Sequence, residues 1–203
     1  MLKVIFVLFL CLPFSDQLRA EQIKLLVLGD SLSAAYGLKQ EEGWVNLLQD
    51  ALQDKGVSII NAAVSGETTD GGLARLPRLL EQHQPTHLLI ELGGNDGLRG
   101  YPIDKLKANI GKMIELAKAQ EVSVILQKMQ IPTNFGKRYT SMFTYSYEEL
   151  AEQYEVALIP FLLKEVALDP SLMMRDGIHP SIEAQPQIAE FMQRQLEPLL
   201  LAP

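Results

Sequence analysis

Ser31 closes a short apolar run, Lys24-Leu25-Leu26-Val27-Leu28-Gly29-Asp30-Ser31-Leu32-Ser33. A serine hydroxyl is a weak nucleophile until a base takes its proton. The chain has three histidines to offer. His83 sits among Glu81, Gln82 and Gln84 and reads as a solvated surface residue. His87 opens a strand at its amino end, on the wrong edge for catalysis. His179 lies in Asp176-Gly177-Ile178-His179-Pro180, a turn-forming stretch with an acid three residues upstream. That spacing lets Asp176 fold back onto the imidazole Nδ1 and leaves Nε2 free as a base. Two further residues could hold a developing negative oxygen. Gly66, after Ser65, can present a bare backbone N–H, and Asn95 in Gly93-Gly94-Asn95-Asp96 can present a side-chain amide. Each has a plainer reading: a helix cap for Ser31, a surface turn for Asp176 to His179, ordinary turn residues for Gly66 and Asn95. Their coincidence in one chain points to acyl-transfer chemistry.

Coincidence matters only if the elements bring these residues together. Short apolar runs predict strands at residues 25–28, 57–63, 87–92, 122–126 and 156–159. Amphipathic spacing predicts helices at 43–55, 73–82, 103–119, 145–154 and 182–200. Gly56 suits the end of the first helix and Pro77 a bend or a break in the second. Asp-Ser-Leu-Ser also reads as a helix start, which would set Ser31 beside unpaired N–H groups. Residues 93–97 read as a turn-rich loop and 129–139 as a long irregular one. Alternation of strands and helices implies right-handed βαβ units. The expected fold is α/β: a flavodoxin-like, doubly wound, five-stranded parallel sheet with helices on both faces. Ser31, Gly66, Asn95 and His179 then follow strands one, two, three and five, and all can open onto one sheet edge.

The 203 residues suit one domain preceded by a short leader. Hydrophobic residues make up 47% and charged residues 21%, enough for a sizeable core. A net charge of -7 without a basic run gives no footing for nucleic acid. Residues 1–20 read as a signal peptide: Lys3, an apolar stretch over 4–12, and a cleavage site ending at Ala20. That stretch is too short to span a membrane, so no retained anchor is expected. Cys11 is the only cysteine, and Leu10 before it is too large for a lipoprotein signal. The mature chain, residues 21–203, would then have no disulfide, no cysteine nucleophile and no cysteine-ligated metal. It is expected to be exported, to the periplasm or beyond, and to work as a monomer.

These blocks, in this order and spacing, resemble the four motifs of the SGNH (GDSL) hydrolase family. The likeness covers residues 23–200 and includes Gly72-Leu73-Ala74-Arg75-Leu76-Pro77 and Glu91-Leu92-Gly93-Gly94-Asn95-Asp96-Gly97-Leu98-Arg99-Gly100. Within the family it is similar to the periplasmic thioesterase, lysophospholipase and arylesterase group. The resemblance implies Ser31 as nucleophile, His179 as base and Asp176 as its orienter. It implies an oxyanion hole of the Ser31 N–H, the Gly66 N–H and the Asn95 amide. Asp30 and Asp96 would hold loops, and no metal or organic cofactor would be needed. Substrates would be small acyl esters, thioesters or lysophospholipids. The acyl chain would run along loops 98–102 and 129–139. An α/β-hydrolase elbow is excluded, because Ser33 stands where Gly-x-Ser-x-Gly needs its second glycine. A carbohydrate acetylesterase of the same fold and a non-catalytic flavodoxin-like binding module are the competing functions.

Overall fold

The computed structural model describes residues 22–202, so the expected signal peptide at residues 1–20 lies outside the described residues. Five strands form one parallel sheet: β1 (Ile23–Gly29), β2 (Val57–Asn61), β3 (His87–Glu91), β4 (Ser123–Gln127) and β5 (Ala157–Ile159). Their order is β2-β1-β3-β4-β5, the flavodoxin-like order expected. Leu25, Leu26, Val27 and Leu28 are fully buried, as a central strand covered on both faces requires.

Among the described residues the α-helices are α1 (Trp44–Leu52), α2 (Thr69–His83), α3 (Gly94–Leu98), α4 (Ile103–Lys118), α5 (Lys137–Tyr154) and α6 (Gln185–Leu200). The chain moves outward from β1 to β2, then reverses to β3. Right-handed crossovers therefore drop α1 on one face and α2 and α4 on the other. α1 packs on α6, while α2, α4 and α5 pack in series. The reversal opens a crevice at the carboxyl ends of β1 and β3.

Five local expectations need correction. No helix starts at Ser31; residues 31–37 form consecutive turns, and the first α-helix is α1. Polar side chains, described below, capture the backbone groups that would have propagated a helix. α2 begins at Thr69, four residues earlier than expected, and runs through Pro77 without a break. Gly71 and Gly72 hide its start in the sequence, yet a Cβ on Gly72 would collide with Leu92, so close packing selects glycine there. The stretch 93–97 is not a loop, since it contains most of helix α3. α5 begins at Lys137, which shortens the long loop; between 137 and 142 no residue is buried, so no apolar period announces the first turns. His83 is half-buried, not fully solvated.

Candidate active site

β1 ends in Gly29, which pairs in register with Glu91 on β3. A Cβ on Gly29 would lie 2.6 Å from Glu91 Oε2, so only glycine leaves room for that carboxyl. Glu91 is fully buried and accepts from the Asp30 N–H at 3.2 Å and from Ser33 Oγ at 2.6 Å. Asp30 Oδ1 accepts from the Leu32 N–H at 3.0 Å. Trp44 Nε1 donates to Leu32 O at 3.0 Å and Asn61 Nδ2 to Ser33 O at 2.8 Å. The residues around Ser31 are thus tied to β3, α1 and β2. The turn that presents its hydroxyl is rigid without being helical.

The base comes from the connection between β5 and α6. Met173 bridges Pro180, and Met174 N–H donates to His179 O at 2.8 Å, which closes a narrow loop. At its tip Asp176 Oδ1 accepts from the N–H groups of Ile178 and His179 at 2.9 and 3.0 Å. Asp176 Oδ2 lies 2.7 Å from His179 Nδ1. A carboxylate can only accept, so Nδ1 carries the hydrogen and, in the neutral imidazole, Nε2 is the acceptor. Nε2 lies 2.9 Å from Ser31 Oγ, across a separation of 148 residues. The sequence-expected Asp176, His179 and Ser31 therefore form one continuous hydrogen-bonded line.

Asn95, in the first turn of α3, faces the same space. Gly93 starts that helix at φ 109°, and a Cβ there would strike the Tyr147 hydroxyl, which donates to Leu92 O at 2.9 Å. Asn95 Nδ2 donates to Glu67 O at 2.9 Å and to Asp30 Oδ2 at 3.2 Å. Both partners are acceptors, which fixes the amide orientation. Gly66 lies on an exposed turn, outside the residues that line the cavity described below. Its carbonyl accepts from Arg99 at 3.3 Å. Asp96 accepts from the Thr69 N–H at 2.9 Å and its hydroxyl at 2.5 Å, tying α3 to the start of α2.

The charges are uneven. Burial pushes the Asp30 carboxyl up to about 6, against the opposing pull of the Leu32 N–H, His179 and Asn95. Burial, with the Asp30 charge beside it, holds Glu91 well above the usual carboxylate range. For Asp176 burial works in the same direction but loses: the His179 N–H, its imidazole and the Ile178 N–H bring the carboxyl down to about 2. Asp176 is thus ionised from well below neutral pH upward.

A cavity of about 440 Å³ opens beside Ser31, Asn95 and His179. Leu98 and residues 129–132 line it, so both loops singled out in the sequence contribute. The far wall was not foreseen: Phe161, Leu163, Ala167, Met173 and Ile178, all from the β5–α6 connection. The Phe161-Leu162-Leu163 run after Pro160 was the available signal. Glu91 and Tyr36, the latter stacked on His179, were missed as well.

A doubly wound sheet with a hydroxyl, an imidazole and a carboxylate in line at its carboxyl edge, beside an apolar cavity, has the parts of an acyl hydrolase. Comparison with known proteins agrees. The profile of the GDSL-like Lipase/Acylhydrolase family matches residues 27–185, and the chain belongs to that family. It is an ester hydrolase. It is 50% identical over 192 residues to an arylesterase of Vibrio mimicus, covering 94% of each chain. It is 46% identical to thioesterase 1/protease 1/lysophospholipase L1 of Escherichia coli K12, covering 87% of this chain and 84% of that one. The crystal structure of the psychrotrophic esterase EstA from Pseudoalteromonas sp., inhibited by monoethylphosphonate, superposes with a TM-score of 0.85. It is 45% identical and covers 87% of this chain and 98% of its own.

Proposed function

We propose that the chain hydrolyses aryl esters, acyl thioesters and lysophospholipids through an acyl-enzyme on Ser31. The line Asp176–His179–Ser31, with contacts of 2.7 and 2.9 Å, is the observation that carries this reading. His179 Nε2 takes the Ser31 proton as Oγ attacks the carbonyl carbon. Asp176 holds the Nδ1 tautomer and faces the imidazolium that forms. The carbonyl oxygen becomes an oxyanion, met by the N–H groups of Ser31 and Gly66 and by the Asn95 amide. Asn95 would exchange its longer contact, to Asp30, for that oxygen. His179 then gives its proton to the leaving alcohol or thiol. Water, activated by the same imidazole, releases the acid and restores Ser31. The apolar cavity wall favours an acyl chain over a sugar. A phosphonate, tetrahedral at phosphorus, resembles the intermediate, and the related Pseudoalteromonas esterase is inhibited by one.

Steady-state kinetics on p-nitrophenyl esters test the assignment. Ser31→Ala should lose on the order of 10³–10⁶ in kcat with its fold intact, while Ser33→Ala and Ser65→Ala should not. Asn95→Ala should lose roughly 10²–10³ in kcat with KM nearly unchanged, since its contact is made with the oxyanion. A Ser31→Ala protein that keeps its rate, or a phosphonate adduct on another serine, overturns the reading. EDTA should leave the rate unchanged. Residues 1–20 are proposed as a signal peptide removed after Ala20, delivering a monomeric enzyme to the periplasm; N-terminal sequencing of exported protein tests the site.

A further inference from the structure

The geometry points to Tyr36 as a positioning residue for the general base, holding the His179 ring in the plane that joins Asp176 to Ser31. This rests on the triad reading above. The Tyr36 and His179 ring centroids are 4.2 Å apart, with 29° between planes. Two hydrogen bonds at opposite ends of an imidazole leave it free to rock about the line that joins them. An aromatic ring laid on one face removes that freedom. Stacked rings attract beyond the area they cover, and an aromatic face favours the imidazolium formed when the proton arrives.

The backbone is built to deliver this ring. Ala35 stands at φ 54°, in the left-handed region that L-residues occupy only when surrounding structure imposes it. Gly43 makes room for it, since a Cβ there would sit 2.8 Å from Ala35 Cβ. Tyr36 N–H reaches back to Ser31 O at 3.4 Å, so the nucleophile's own turn carries the ring. On the far side, a Cβ on Gly37 would lie 3.3 Å from Met174 Cε of the histidine loop, so glycine there leaves that loop room beside the turn. The turn after β1 thus meets the histidine loop through the ring stack. Tyr36 is 48% exposed, so core packing does not account for its position. It is also not among the residues that line the acyl cavity, so its loss should spare substrate binding.

Tyr36→Ala, Tyr36→Leu and Tyr36→Phe test this on one p-nitrophenyl ester, with Tm measured for each. Leucine keeps the cover but loses the aromatic face, while phenylalanine keeps the face and loses the hydroxyl. Loss of a stacked pair corresponds to roughly a 3- to 10-fold fall in kcat. Tyr36→Ala and Tyr36→Leu should show that fall with KM within about twofold and Tm nearly unchanged; Tyr36→Phe should match wild type. Wild-type kcat in Tyr36→Ala, a loss confined to KM, or a Tyr36→Phe as slow as Tyr36→Ala overturns the role. Phosphonate labelling of wild-type Ser31 separates the two readings. Without an adduct on Ser31 the triad and this role fall together. With one, a full-speed Tyr36→Ala removes the role alone.

Discussion

Glu91 is the least expected residue in the site, because a fully buried carboxyl beneath a nucleophile needs a reason. Its Oε2 gathers two donors from the turn that carries Ser31, and burial keeps the group protonated where an exposed glutamate is ionised. Unfolded, Asp30 and Glu91 both lose their protons near ordinary carboxylate values. Folded, Asp30 keeps its proton to about 6 and Glu91 beyond its own usual range. Across that window the folded state binds more protons, so stability falls as pH rises. For Asp30 the loss runs from its ordinary carboxylate value up to about pH 6. Asp176 runs the other way: its share is present above about pH 4 and fades as pH falls through about 2. Glu91→Gln keeps an acceptor and removes the ionisation that draws the unfolded chain. Its Tm should therefore gain on wild type between pH 5 and pH 8. A Tm gap that stays flat over that range would show that Glu91 is already charged in the fold.

At the scale of elements, the site depends on short segments wedged between larger ones. α3 has five residues, too few to stand alone as a helix. It is seated by Gly97, whose added Cβ would lie 2.7 Å from Ile131 and 2.8 Å from Phe143 of α5. Gly97→Ala should lift α3 from that seat. Overpacking of this kind costs about 1–3 kcal/mol, a Tm fall of roughly 2–10 °C in a domain this size. Because Asn95 and Leu98 ride on the same helix, kcat should fall as well. Unchanged melting and turnover would mean that α3 tolerates the methyl and is not wedged.

For the molecule as a whole, the cavity of about 440 Å³ is where substrate choice is decided. Its wall comes from α3, from the segment after β4, and from the β5–α6 connection. Ala167 lines it as a small residue. Ala167→Trp should fill that wall and lower kcat/KM for long-chain p-nitrophenyl esters by tenfold or more, while acetyl and butyryl esters keep theirs. Equal loss across all chain lengths would place the acyl chain elsewhere. Among the described residues no helix is long and apolar enough to cross a membrane.

The five strands, the sheet order and the line Asp176–His179–Ser31 were legible in the residues themselves. Buried parallel strands announce themselves as apolar runs, and Asp176 sits three residues from His179, so their contact is local and chain geometry alone permits it. Topology then obliged Ser31 and His179 to share an edge. The early starts of α2 and α5, the helix at 94–98 and the turns after Ser31 were not legible. There, glycines that serve packing and polar side chains from distant strands override local propensity. Glu91 beneath Gly29 is set by strand register, and the far cavity wall by how the long connection between β5 and α6 folds over the sheet. Tyr36 meets His179 across 143 residues through a left-handed turn made possible by Gly43. Such contacts join residues far apart in the chain with no periodic signal between them, so only the tertiary structure could decide them.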